Sequence, residues 1–244
     1  LTDIEMTDVP APIEDCPRCG KPLTLCVCQD IEPIDNKVAV LVLQHPQEQD
    51  KALGTARLTA LHLKKAMFKT GLSWPSLTKA LGRAADPKRW ATLYLGSADP
   101  ALLAPGQQIV ALDAKGNLLP SQEVQLAEIE GLIVLDGTWS QAKTLWWRNA
   151  WLLKCKRIVL APSRPSLYGK LRREPRREGL STLEATAMLL AKLEKRPEIE
   201  VLMGTTFAKL LDKYRENPPV AATGLAGVKT GPRRRFQRRS GGRA

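Results

Sequence analysis

The sequence predicts an α/β protein whose mostly parallel sheet is covered by helices on both faces, with a four-cysteine metal knuckle near its N-terminal end. Three observations predict it. Short apolar runs recur along the chain without alternation, as in strands buried on both faces. Segments of helical period lie between and after them, the pattern of crossover connections. Four of the five cysteines fall between Cys16 and Cys28, which fits a metal site in a reducing compartment better than a disulfide framework.

The elements follow in order. Residues 1–15 are acidic and proline-bearing and form a flexible lead-in, followed by the cysteine knuckle at 16–30. Val38–Leu43 is an uninterrupted apolar strand that stops at Gln44-His45-Pro46, where proline disfavours further pairing. A helix is expected from Thr55, its N-cap, to Lys65. Strands are expected at Ala91–Leu95, Gln108–Leu112 and Gly131–Leu135, the last running into Asp136-Gly137. A tryptophan-rich helix spans Thr138 to Lys154, and Arg157–Ala161 is a fifth strand. A basic loop leads to a helix opening at Ser181, and a last helix covers Ile199–Glu216 after Pro197. There is no internal repeat. Residues 36–217 thus form one catalytic-sized domain, and 218–244 a basic tail (Arg233, Arg234, Arg235, Arg238, Arg239) expected to be disordered when free.

In Cys16-Pro17-Arg18-Cys19-Gly20 two residues separate the thiols, so both sulfurs can face one ion while the glycine permits the turn beneath. Cys26-Val27-Cys28 completes a four-thiolate set. Such a set suits zinc and leaves no open position, which makes the site structural. The alternative is a pair of unrelated free cysteines or an oxidation-prone tail. Cys155 reads as a small core residue.

Lys and Arg number 37 against 25 Asp and Glu, a formal charge of +12 that favours a polyanionic partner. No stretch approaches the ~20 apolar residues of a membrane span. The acidic N-terminal segment lacks the order of a signal peptide, so the expected compartment is the cytoplasm.

Ligands of open α/β sheets bind where loops leave the carboxyl ends of strands. Gln44-His45-Pro46-Gln47-Glu48, Asp136-Gly137-Thr138-Trp139 and Ala161-Pro162-Ser163-Arg164-Pro165 occupy such positions, and Ser181-Thr182-Leu183-Glu184-Ala185 opens a helix after the basic loop. Each has a plainer alternative. Asp136 or Thr138 can cap the next helix, Ser181 with Glu184 fits a capping box, and His45 can be an ordinary loop residue. Trp139, Trp146 and Trp147 read as core anchors rather than base-stacking platforms, with Trp139 at the mouth of the loop. His62 lies mid-helix and receives no role.

Together these segments resemble the DTW-domain proteins, tRNA-uridine aminocarboxypropyltransferases. Asp136-Gly137-Thr138-Trp139 matches the D-x-T-W signature. The cysteine entry, Gln44-His45-Pro46, Glu48, Thr55, Pro162-Ser163-Arg164 and Ser181–Ala185 follow in family order. The resemblance implies transfer of the 3-amino-3-carboxypropyl group of S-adenosylmethionine to N3 of a tRNA uridine, with release of 5′-methylthioadenosine. It also implies a SPOUT-like fold, knotted in its C-terminal part; nothing in composition or periodicity predicts a knot.

On this resemblance Asp136, Thr138 and Trp139 are the catalytic candidates, with Asp136 a base for the uridine N3–H, an anchor for the donor's ammonium or a guide for the uracil edge. Leu135, Gly137, Pro162, Ser163, Leu180, Ser181 and Leu183 join them as contacts of S-adenosylmethionine. His45, Glu48 and Thr55 shape the opposite wall. Lys170, Arg172, Arg173, Arg176 and Arg177 are expected to hold RNA phosphates beside the pocket. Two other readings remain: an RNA methyltransferase of the same fold, and a non-catalytic zinc-bearing RNA- or ribosome-binding protein.

Overall fold

The computed structural model describes residues 14–48, 52–93, 103, 107–162, 164–169, 171 and 179–218. The acidic lead-in up to residue 13 and the basic tail from residue 219 lie outside the described residues.

Among the described residues six strands form one sheet: β1 (Ala39–Gln44), β2 (Ala66–Thr70), β3 (Trp90–Leu93), β4 (Ile109–Leu112), β5 (Gly131–Asp136) and β6 (Lys156–Leu160). Their spatial order is β2-β1-β5-β3-β6-β4. Every pairing is parallel except that of β4 with β6. The helices are α1 (Ala56–Leu61), α2 (Leu77–Leu81), α3 (Gln122–Ala127), α4 (Trp139–Arg148), α5 (Thr182–Leu193) and α6 (Glu198–Glu216).

Strand side chains alternate between the faces, and the core divides accordingly. Val40, Val42, Leu132, Val134 and Ile158 share one cluster with residues of α1, α5, α6 and the cysteine segment. Leu41, Leu43, Ile133 and Leu135 pack on the other face with Leu77 and Ala80 of α2 and Ala142 and Leu145 of α4. Both faces are covered, so the central strands β1 and β5 can be apolar up to their last residues, Gln44 and Asp136. Helix α5 is buried without a break from Leu183 to Ala191, as expected of a helix enclosed on all sides. Gly131 stands opposite Trp90 across the β3–β5 pair. A Cβ there would lie 2.5 Å from the indole, so only glycine lets that ring cross the strand.

Several elements differ from expectation. The helix after Thr55 ends at Leu61 rather than Lys65, and the chain turns straight into β2, which the sequence did not announce. As an edge strand β2 is half-buried, and Ala-Met-Phe-Lys-Thr carries little β-branched signal. The tryptophan-rich helix stops at Arg148 because the buried Asn149 leaves helical geometry. Its amide donates to Leu145 O (2.8 Å) and Leu72 O (3.0 Å) while its oxygen accepts from the Trp74 N–H (2.8 Å). Residues 150–154 continue as a 3-10 helix.

Of the tryptophans of α4, Trp146 alone packs against the core, on the cluster of the second face. Ala142 and Leu145 are the buried residues of this helix, Trp139 and Trp146 are half-buried, and Trp147 is 77% exposed. The buried indoles are Trp90 and Trp151. Trp146 lies under the Arg157 guanidinium, 5.1 Å from the ring centroid. His62 closes α1 rather than lying within it, and is buried.

Candidate active site and metal centre

The parallel register sets Gln44, the last residue of β1, beside Asp136, the last residue of β5. Both strands end at the same edge, where an open sheet offers its ligand crevice. Gln44 Nε2 donates to Asp136 Oδ2 at 2.9 Å, and the Thr182 hydroxyl donates to Oδ1 at 2.5 Å. The His45 N–H donates to the Asp136 carbonyl at 3.0 Å. Asp136 is 8% exposed, so its carboxylate is held by two directed donors and each oxygen retains a lone pair.

Gly137 turns the chain out of β5 at φ +144°, a backbone conformation that favours glycine. A Cβ there would sit 2.9 Å from Gln141 and 3.4 Å from His45 Cβ. Thr138 is exposed and caps α4: its N–H donates to Gln141 Oε1 (2.7 Å) and its hydroxyl accepts from the Gln141 N–H (3.4 Å). The capping alternative for Thr138 therefore holds in the structure. Gln141 Nε2 also donates to Gln47 O at 3.1 Å, drawing the loop after β1 onto the start of α4. Within that loop His45 is buried and its Nδ1 accepts from the Gln47 N–H (3.1 Å), and half-buried Glu48 donates its N–H to His45 O (3.0 Å).

The third component is the start of α5. Ser181 and Glu184 form the capping box that the sequence allowed, with bonds of 2.9 and 3.1 Å. Glu184 does more than cap. Its carboxylate also accepts from the Ser166 hydroxyl (2.6 Å) and the Leu167 N–H (2.8 Å), binding the loop after β6 to α5. Thr55 joins from the other side, its hydroxyl accepting the Leu183 N–H at 3.2 Å. Leu183 and Leu135 are buried, while Pro162 and Leu180 are half-buried.

The structure thus gathers Asp136, His45, Thr55, Ser181 and Leu183 into one bonded framework. Ser163, Lys170, Arg172, Arg173, Arg176 and Arg177 lie outside the described residues. Arg164, in the same loop as Ser163, pairs with Glu200 of α6 at 2.8 Å. Sequence reasoning named neither Gln44 nor Thr182 as a site residue. Both lay within the segments it singled out, and the hydroxyl one residue after the Ser181 cap was the available signal.

The four cysteine sulfurs lie within 4.8 Å of one another, and Cys19 and Cys26 Sγ are 3.9 Å apart. Four metal–thiolate bonds of the zinc type place sulfurs about 3.8 Å apart, so this set fits a single tetrahedral ion with no position left open. Gly20, at φ +68°, makes the turn beneath. The Cys19 N–H pointing at Cys16 lowers that thiol to about 6, whereas burial pushes Cys19 and Cys28 up. A cation among them favours the thiolate in all four. The segment is docked on α6, where Lys213 Nζ donates to Cys26 O at 2.6 Å and Lys209 pairs with Asp30 at 3.1 Å.

Comparison with known proteins gives a match to the DTW domain over residues 13–215. Relatives named tRNA-uridine aminocarboxypropyltransferase 2 include one from Macaca fascicularis, 29% identical over 188 residues, covering 76% of this chain and 58% of that protein. One from Mus musculus is 30% identical over 185 residues, covering 74% and 57%. One from Drosophila melanogaster is 31% identical over 197 residues, covering 79% and 71%. The chain therefore spans less than three fifths of the length of the two mammalian relatives. No solved structure matches it. With Asp136-Gly137-Thr138-Trp139 at the strand-end crevice and the family match running from the cysteine segment to α6, this chain belongs to the DTW-domain family.

Proposed function

We propose that the chain transfers the 3-amino-3-carboxypropyl group of S-adenosylmethionine to N3 of a uridine in tRNA, releasing 5′-methylthioadenosine. The observation that carries this reading is Asp136, held at the end of β5 by Gln44 and Thr182 in a chain whose relatives are named tRNA-uridine aminocarboxypropyltransferase 2. In the transfer N3 loses its proton and forms a bond to the sulfonium-activated carbon, and the broken C–S pair returns to sulfur as a neutral thioether. Asp136 has a free lone pair to accept the N3 proton, or to hold the donor's ammonium. All three sulfonium carbons are activated alike, so the pocket selects one by position.

In this reading Leu135–Trp139, Pro162, Ser163, Leu180, Ser181 and Leu183 hold the donor, with Thr138 and Trp139 beside the reacting atoms. His45, Glu48 and Thr55 face the uridine. Lys170, Arg172, Arg173, Arg176 and Arg177 hold tRNA phosphates, and the target base is unpaired or flipped, because pairing occupies its N3. The cysteine cluster holds one structural zinc. We further assign the sheet to the SPOUT-like class with a knotted C-terminal part, supported by the return of α5 to the Asp136 strand end and by β5 lying between β1 and β3. Among the described residues no helix is long and apolar enough to cross a membrane.

The test is incubation with unmodified tRNA and S-adenosylmethionine labelled in the aminocarboxypropyl arm. Label in RNA with methylthioadenosine as coproduct is the expected result. S-adenosylhomocysteine as coproduct would establish the methyltransferase instead, and RNA binding without transfer would establish the non-catalytic reading.

A further inference from the structure

Lys21 is 2% exposed, an extreme degree of burial for a lysine. Its backbone belongs to the metal knuckle, since its carbonyl accepts the Cys16 N–H at 2.7 Å. Its side chain leaves the knuckle. The ammonium donates to Ala52 O at 2.9 Å and to Gly54 O at 2.6 Å. The carbonyl between these two, Leu53 O, accepts the buried Tyr168 hydroxyl at 2.8 Å. Two buried donors from distant parts of the chain therefore hold three consecutive carbonyls.

The next residue, Thr55, accepts the Leu183 N–H, and Thr182 immediately before Leu183 donates to Asp136. Tyr168 is itself tied to this region, because its N–H donates to Ser166 Oγ and the Ser166 hydroxyl donates to Glu184. A continuous set of bonds runs from the cysteine knuckle through Lys21 to the start of α5 and the Asp136 carboxylate. A buried ammonium without partners is costly, so the Ala52–Gly54 turn and the Lys21 position stabilise each other.

We propose that Lys21 is the positioning residue through which the metal-loaded knuckle orders the 52–55 turn and, with it, one wall of the transferase pocket. The pocket's identity rests on the proposed function; the link between metal and turn does not. Metal loading and donor binding are then coupled, and the coupling is reciprocal: the donor retains the metal as the metal improves donor binding.

Amide hydrogen exchange on the full chain tests the link without donor or RNA. Metal removal is expected to speed exchange at residues 52–55 and at Leu183. Lys21→Met is expected to do the same while keeping about one metal per chain, the stoichiometry of a closed four-thiolate site. Removing the metal from Lys21→Met should add little at those amides, and Lys21→Arg should restore much of their protection. In the wild type S-adenosylmethionine should slow metal transfer to a chromogenic chelator, and Lys21→Met should abolish that slowing. The same variant should raise the donor KM about tenfold with a much smaller change in kcat, the size expected for a lost charge-assisted bond.

Wild-type exchange at 52–55 and 183 in metal-loaded Lys21→Met would overturn the proposal. So would a metal effect on those amides that Lys21→Met leaves at full size. Tyr168→Phe is the control for general loosening, because metal removal should still add to its effect. If wild-type protein transfers no aminocarboxypropyl label, the transferase reading fails, while the exchange comparison still decides the role of Lys21.

Discussion

Thr182 donates its hydroxyl to Asp136 Oδ1 across 2.5 Å, joining the first turn of α5 to the end of β5 through residues 46 positions apart. Asp136→Ala is expected to abolish label transfer with the far-ultraviolet circular dichroism unchanged. Thr182→Val should lower kcat/KM by about ten- to a hundredfold, the equivalent of roughly 1.5–3 kcal/mol for a bond to a charged group. Asp136→Asn distinguishes two of its three candidate roles. Loss of kcat with donor KM retained marks the base, and a raised donor KM marks the ammonium anchor.

Metal analysis of protein purified without chelator should find about one zinc per chain, as one closed tetrahedral site requires. Stripping it is expected to lower Tm by about 5–10 °C, the shift that roughly 2–3 kcal/mol produces in a chain of this size. The docking of the knuckle on α6 makes that loss felt in the core. Scanning calorimetry of the loaded and stripped protein checks it.

His62 supplies a pH dependence. Burial lowers its pKa from 6.5 to about 4, and its Nε2 has no hydrogen-bond partner within the buried interior. Between pH 4 and pH 6.5 the unfolded chain binds the proton and the folded chain does not, so stability rises with pH across that window and is fully present above it. The total is on the order of 3 kcal/mol. Denaturant unfolding of His62→Leu should show a shallower slope than wild type between these limits and similar stability at pH 7.5.

Cysteine reactivity should divide cleanly. Burial pushes the Cys155 thiol up to about 12, so at pH 8 its thiolate fraction is on the order of one in ten thousand. An alkylating reagent should leave the metal-loaded protein unmodified, label Cys16 ahead of Cys19 and Cys28 after chelation, and reach Cys155 only on unfolding. Mass spectrometry of the three samples reads the pattern.

The apolar runs made β1 and β5 legible, because strands buried between parallel neighbours carry their signal in nearly every residue. Strand β2 was not, since a half-buried edge strand with one partner needs no such run. The break at Asn149 depends on carbonyls brought from residue 72 and on the Trp74 N–H, which local sequence does not reveal. Asp136 was legible from its place after an apolar run, and the family motif gave it neighbours. Its actual partners, Gln44 and Thr182, depend on strand register and on the return of α5, both of them long-range facts. Helical spacing put Trp139 and Trp146 on one face but does not say how deeply a face meets the core, and both are half-buried.

The place of β1 in the sheet also has a consequence during synthesis. One of its edges pairs with β2, made soon afterwards, whereas the other waits for β5. Gln44 and Asp136 are 92 residues apart, so at about 5–20 residues per second that edge stays bare for roughly 5–20 s on the ribosome. Its residues Val40–Leu43 offer an unpaired apolar template to any extended chain nearby throughout that interval. Thr182 emerges 46 residues later still. The pocket cannot form before the start of α5 is made, and a nascent chain that pairs wrongly at β1 never builds it.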